Sequence, residues 1–116
     1  MSTNTRGIGV DVEEVNRFRK LPYKGNPSFY KKIFTADEIK YCLSKADPYP
    51  HFAVRFAAKE AVLKCLQSTI YKVLDVEIRN NKNGAPNVKV KGQKGKFLIS
   101  FSHTKNQVAA IALWLN

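Results

Sequence analysis

Two carboxylates occupy positions a ligand could reach. Asp11 follows Gly7-Ile8-Gly9-Val10, and glycines so near an acid let backbone come close to a bound group. Glu60 sits in Arg55-Phe56-Ala57-Ala58-Lys59-Glu60-Ala61, flanked at helical spacing by Phe56 and Leu63 and followed one turn later by Lys64. An acid in apolar surroundings, with Arg55, Lys59 and Lys64 on the same stretch, suits a metal ion carrying phosphates. Each acid also has an ordinary explanation. Asp11 with Glu14 has the spacing of an N-cap and capping box, which is the preferred reading of Asp11 taken alone. Glu60 and Lys64 are ordered as a favourable exposed helical ion pair, worth roughly a few tenths of a kcal/mol. Spacing leaves these alternatives open for Glu60.

Ser100-Phe101-Ser102-His103-Thr104 brings two hydroxyls and an imidazole to a strand end. No nucleophile elbow accompanies them, and a polar strand terminus is the simpler meaning. Gly7-Ile8-Gly9 lacks a third glycine at dinucleotide-binding spacing, and no Gly-Lys-Ser/Thr element occurs, which disfavours Rossmann enzymes and classical NTPases. Cys42 and Cys65 lie in helical stretches without zinc-site spacing and are expected to be reduced and buried.

The elements that must position these residues follow from periodicity. Gly7 to Val12 alternates as a half-buried strand with Ile8, Val10 and Val12 on one side, and a short helix is expected from about Glu13 to Lys20 with Val15 and Phe18 inward. Pro22, Gly25 and Pro27 break the pattern into a loop before Phe29. Thr35 and Glu38 form a capping box, with Phe34 and Ile39 at staple positions, and that helix ends before Asp47-Pro48-Tyr49-Pro50. The longest helix is expected from Phe52 to about Gln67. Leu74, Val76 and Ile78 then alternate with polar residues, and Asn83-Gly84 turns the chain into Val88 and Val90 as a hairpin. Phe97, Ile99 and Phe101 mark another strand, and Val108 to Leu115 a last, buried one. Helices early and antiparallel strands late predict an α+β fold.

The 116 residues, 44% hydrophobic and 25% charged, amount to one domain spanning 1-116, large enough to need no metal or disulfide staple. Twenty Lys and Arg against nine Asp and Glu give a net charge of +11, which favours an acidic partner. The polar start and the shortness of the longest apolar run predict no membrane span and a cytoplasmic location.

In order along the chain, Gly7-Ile8-Gly9-Val10-Asp11-Val12-Glu13-Glu14-Val15-Asn16-Arg17, Phe34-Thr35 with Glu38, Arg55 to Ala61 with Lys64, Asn83-Gly84-Ala85-Pro86, and Ser100 to Thr104 resemble the signature blocks of holo-acyl-carrier-protein synthases. These are the short, trimeric class of 4′-phosphopantetheinyl transferase. The resemblance runs from Gly7 to Trp114, and it extends to the homologous domain of large fungal-type fatty acid synthases; the Met just upstream favours a free-standing chain. It implies an antiparallel sheet packed on a long helix, and a reaction in which a carrier-protein serine attacks the pantetheine-side phosphate of coenzyme A and releases adenosine 3′,5′-bisphosphate.

The resemblance further implies roles for individual residues. Asp11 and Glu60 match the Mg²⁺ ligands, and Lys64 would neutralise phosphate charge, so that Asp11, Glu60 and Lys64 form the catalytic set. Arg55, Lys64, Asn83, Gly84, Pro86 and His103 match positions that bind coenzyme A in a cleft between subunits of a homotrimer. Arg17 matches the surface that docks the acidic carrier protein, and Glu60, directly or through a metal-bound water, is the first candidate to take the serine proton. A role in fatty acid biosynthesis follows, with no nucleic acid or membrane partner. One departure stands out: the family continues after the Lys64 region as Leu-Gly-x-Gly, whereas this chain has Leu66-Gln67-Ser68-Thr69, whose hydroxyls could replace the lost backbone contacts. Two other readings compete. The first is a small basic nucleic-acid-binding module using Lys82 to Lys96 with Phe97 and Phe101 as stacking residues. The second is an inactive trimeric scaffold, which the intact Asp11, Glu60, Lys64 and His103 disfavour.

Overall fold

The computed structural model describes residues 4–116; the first residues of the polar start, on which the free-standing reading draws, lie outside them. Strand β1 (Thr5–Glu14) is followed by helices α1 (Asn16–Arg19), α2 (Pro27–Lys31), α3 (Ala36–Leu43) and α4 (Pro48–Leu66). A single 3₁₀ turn, Val73–Asp75, leads to β2 (Val76–Asn80), β3 (Pro86–Val90), β4 (Lys96–His103) and β5 (Gln107–Leu115). The fold is α+β, as expected. The strands form two antiparallel sheets, β1-β5-β4 and the hairpin β2-β3.

β1 confirms the strand period, and its buried face is the glycine face. Ile8, Val10 and Val12 are 60%, 56% and 59% exposed, whereas Gly7 and Gly9 lie against α4. A Cβ at Gly7 would collide with the carbonyl of Cys65, and one at Gly9 with the carbonyl of Ala61. The strand therefore turns its smallest residues to the helix. Hydrophobicity could not reveal this, because the apolar residues cover a different surface.

β1 also runs through Glu13 and Glu14, which were expected in a helix, and α1 starts at Asn16 with Val15 at its N-cap and no side-chain cap. Asp11 caps nothing. α4 begins at Pro48, a turn earlier than expected: Pro48 and Pro50 are tolerated in the first turn, and Asp47 accepts a hydrogen bond from Tyr49 N at 3.4 Å. Leu74, expected on the strand, lies in the 3₁₀ turn and is 44% exposed, while Val76 and Ile78 are buried as read.

α4 is the spine of the molecule. β1 and β5 cover one side, and α1, α3 and β2 meet others, so its residues from Phe52 to Ala58 are almost all buried. Phe18, Tyr30, Phe34 and Phe52 form an aromatic core beside it, with Tyr30 OH donating to Leu21 O at 2.7 Å. Truncating one such ring to Ala removes about 3–5 kcal/mol.

α3 is fastened to α4 by a buried ion pair. Glu38 completes the capping box with Thr35, accepts from Ile78 N at 2.8 Å, and receives Lys59 Nζ, which also donates to Ile33 O at 2.8 Å. Both side chains are sealed from water. No helix among the described residues is long and apolar enough to cross a membrane.

Candidate active site

β1 runs alongside α4, and the close approach at Gly7 and Gly9 carries Asp11 to the Lys64–Glu60 turn of the helix. Lys64 Nζ donates to Val10 O at 2.8 Å and to Asp11 Oδ1 at 3.3 Å. It makes no ion pair with Glu60, so the within-helix reading of that spacing fails and the lysine spans two elements. Asp11 Oδ2 is buried without a hydrogen-bond partner.

Burial, and then the charge of Asp11, raise the pKa of Glu60 above its usual value, against the lowering effects of Lys64 and Arg17. Glu13 is pushed up to about 7 by burial first and then by the neighbouring Asp11 carboxylate, with Arg17 opposing. Asp11, with an unpartnered oxygen, repels both Glu13 and Glu60, an environment that a hard cation would relieve. Among the described residues no three Asp, Glu, His or Cys side chains converge as a complete cage. The donor set fits a metal such as Mg²⁺, which takes one or two carboxylates and fills its remaining positions with water and phosphate oxygens.

Arg17 stands at the rim. Its guanidinium lies 4.8 Å from the centroid of the Phe56 ring and donates to Glu13 Oε1 at 3.1 Å, while its side chain stays half-exposed. Glu13 is the site residue that the sequence reading missed. Its signal was its place two residues after Asp11 on the same strand face and four before Arg17.

The remaining expected residues gather elsewhere. Arg55 precedes Lys64 by nine helical positions, roughly half a revolution around α4. It is 3% exposed, lies 4.1 Å from the centroid of the Tyr41 ring, and donates from Nη2 to Asn80 Oδ1 at 2.5 Å, with Nε buried and unpartnered. Asn80 Nδ2 in turn donates to Gly84 O at 3.1 Å, and Asn83 Oδ1 accepts from Ala85 N at 3.0 Å, shaping the turn that precedes Pro86. Gly84 needs its φ of +87°, which a side chain would strain. His103 ends β4, exposed, across β5 from Glu13 through Val108. One copy of the chain therefore unites Asp11, Glu60, Lys64 and Arg17, and holds Arg55, Asn83, Gly84 and Pro86 on another side of α4. Lys59, read as a further site cation, is committed to Glu38.

After Lys64 the helix closes on Gln67 in the left-handed region, φ +51°, at the place of the family's first glycine. Ser68 Oγ accepts from Ile70 N at 3.3 Å, so this hydroxyl serves the local turn.

A three-stranded sheet folded on one helix, with two acids and a lysine between strand and helix, makes a site suited to a hard cation and phosphate oxygens. Residues 7–113 match the 4′-phosphopantetheinyl transferase superfamily, and the chain belongs to it. The holo-[acyl-carrier-protein] synthase of Thermodesulfovibrio yellowstonii is 44% identical over 108 residues, covering 92% of this chain and 96% of that protein. The protein of the same description from Chlorobaculum tepidum is 42% identical over 112 residues, covering 92% and 96%. Among solved structures, a holo-(acyl-carrier-protein) synthase from Bacillus anthracis in complex with CoA (3′,5′-ADP) superposes with a TM-score of 0.85 at 28% identity, covering 99% of each chain. The Helicobacter pylori holo-[acyl-carrier-protein] synthase in complex with coenzyme A gives 0.78 at 27% identity, covering 92% of this chain and 98% of that one.

Proposed function

We propose that this single-domain protein is a holo-acyl-carrier-protein synthase that moves 4′-phosphopantetheine from coenzyme A to a serine of an apo acyl carrier protein, leaving adenosine 3′,5′-bisphosphate. The carrying observation is the convergence of Asp11, Glu60 and Lys64 between β1 and α4 in a chain matched from residue 7 to 113.

Asp11 and Glu60 would hold Mg²⁺, which would supply positive charge against the charge that develops on the phosphates. Lys64, already positioned by the Val10 carbonyl, presents its ammonium to the same phosphates. Glu60, with its raised pKa, is suited to accept the serine proton directly or through a water. Phe56 limits water on the Arg17 side. Arg17, half-exposed on that ring, meets an acidic helix of the carrier and brings the serine toward Glu60.

Arg55, Asn83, Gly84, Pro86 and His103 supply the coenzyme A cleft from an adjacent copy. Two features support a homotrimer: the separation of these residues from Glu60 within one chain, and the outer face of β1-β5-β4, where Ile8, Val10, Val12, Leu98 and Ile111 are exposed together. A reaction that consumes coenzyme A and modifies a carrier protein belongs in the cytoplasm and serves fatty acid biosynthesis. The nucleic-acid reading loses its stacking platform, since Phe97 lies against Trp114 and Phe101 packs on the core.

The test is mass detection of the phosphopantetheine adduct on a panel of apo carrier proteins with coenzyme A and Mg²⁺. Asp11→Asn and Glu60→Gln should each lower turnover by orders of magnitude with the fold intact, and near-normal Mg²⁺-dependent transfer by either would refute the assignment. Arg17→Glu should weaken carrier binding, spare coenzyme A binding, and be partly mimicked by salt. Full carrier affinity in that variant, or preference of the wild type for an oligonucleotide at physiological salt, would overturn the docking role.

A further inference from the structure

An open cavity lies away from Asp11 and Glu60, between the α2–α3 corner and the 3₁₀ turn. It encloses about 500 Å³ and is walled by Phe34, Ile39, Leu74 and Tyr23, with Lys31 and Lys40 on its lining. That volume is in the range of small-molecule sites and too confined for a folded partner.

The polar side chains on this lining are Tyr23, Lys31, Thr35 and Lys40, and of these only Thr35 is satisfied within the fold. Thr35 Oγ1 donates to Glu77 Oε2 at 2.6 Å and accepts from Glu38 N at 3.2 Å, so its hydroxyl is occupied. The two ammonium groups are exposed, and among the described residues neither forms an ion pair or a hydrogen bond. Leu74 stays 44% exposed beside buried Phe34 and Ile39, leaving apolar surface open to water. Such a lining offers two cationic side chains beside apolar surface and a single free neutral side-chain group, the Tyr23 hydroxyl. A nucleotide or sugar phosphate would lose hydrogen bonds to water there without replacement. A molecule with one anionic end and an otherwise unfunctionalised hydrocarbon body would lose none.

We propose that this cavity is a binding site for an amphipathic carboxylate, an aliphatic chain ending in a single carboxyl group, with the chain over Tyr23 and Leu74, above the buried Phe34 and Ile39, and the carboxylate between Lys31 and Lys40. None of its lining residues is among those assigned above to coenzyme A or carrier binding. It shares a wall with the Glu38–Lys59 fastening, because Lys59 Nζ lies 5.3 Å from the centroid of the Phe34 ring.

The probe is sodium decanoate below its aggregation concentration, titrated into the full chain without coenzyme A and followed by calorimetry and by backbone amide shifts. Decanoate should bind once per chain, with shifts centred on Thr35, Ile39 and Leu74, and decan-1-ol should bind at least about ten-fold more weakly. Reversing both exposed charges, Lys31→Glu with Lys40→Glu, should lower decanoate affinity at least about ten-fold while leaving the thermal midpoint near wild type. Leu74→Trp, which fills the cavity, should abolish binding of both probes. Equal affinity for acid and alcohol, an unaffected double reversal, or shifts centred elsewhere would each overturn the proposal. Binding confined to anionic phospholipid vesicles, with none to free decanoate, would also overturn it and indicate a lipid surface instead.

Discussion

Lys59 and Glu60 are adjacent and do opposite work, the first sealed into a pair with Glu38 and the second turned toward Asp11. Lys59→Met would leave the Glu38 carboxylate buried without its cation and should cost about 3–5 kcal/mol of stability, read from urea midpoints. A midpoint equal to wild type would contradict the buried pair. His51, in the first turns of α4, is held below its ordinary value of 6.5 by burial first, then by Arg55 and Lys45, with His103 adding slightly and Asp47 opposing. The unfolded chain therefore takes this proton more readily than the folded one, so the His51 contribution is fully present above about pH 6.5 and is lost as pH falls below it. Urea midpoints measured from about pH 7 down to pH 5 should fall for wild type and fall less for His51→Gln; identical slopes would remove His51 from the account. Asp11, Glu60 and Lys64 were legible because their blocks occur in order. Lys59 was misread because helical spacing says which residues share a face, not which neighbour that face meets.

At the scale of elements, the strand period of β1 was legible and its orientation was not. A period of two marks two faces, and choosing between them requires knowing that α4 comes close enough to exclude every Cβ. Gly9→Ala should push β1 off the helix and displace Asp11, lowering both stability and turnover; a fully active, equally stable variant would refute the close approach. The end of α4 predicts the opposite sign. Gln67 holds a left-handed conformation that costs a side-chain-bearing residue roughly 1 kcal/mol, so Gln67→Gly should raise the thermal midpoint. No gain, or a loss, would mean that the Gln67 side chain contributes more than its backbone strain takes away. The early start of α4 was hidden by Pro48 and Pro50, which read as breakers although a first turn accepts them.

For the whole molecule, the proposed trimer follows from an apolar sheet face that one copy leaves in water. Val10→Glu and Ile111→Lys place charges in the middle of that face, and each should shift sedimentation toward monomer and abolish transfer, while the far-ultraviolet circular dichroism stays native. A monomeric variant with full activity would show that the cleft is complete within one chain. The same dependence predicts that specific activity falls on dilution below the assembly constant. The α+β class was legible from the order of helices and strands, whereas the split into a three-stranded sheet and a separate hairpin was not, since Gly92 to Lys96 reads as a basic, Gly-containing turn between strands.

The two buried thiols give the chain an internal clock for its own opening. Burial pushes Cys42 up to about 12 and Cys65 up to about 11, so neither thiol is reactive while its surroundings stay closed. Cys42 reports on α3, and Cys65, whose Sγ donates to Ala112 O at 3.1 Å, reports on the seam between α4 and β5. Alkylation rates at the two positions, resolved by peptide mass, would separate detachment of α3 from loss of the whole structure. Equal rates would mean that helix and sheet open as one cooperative unit.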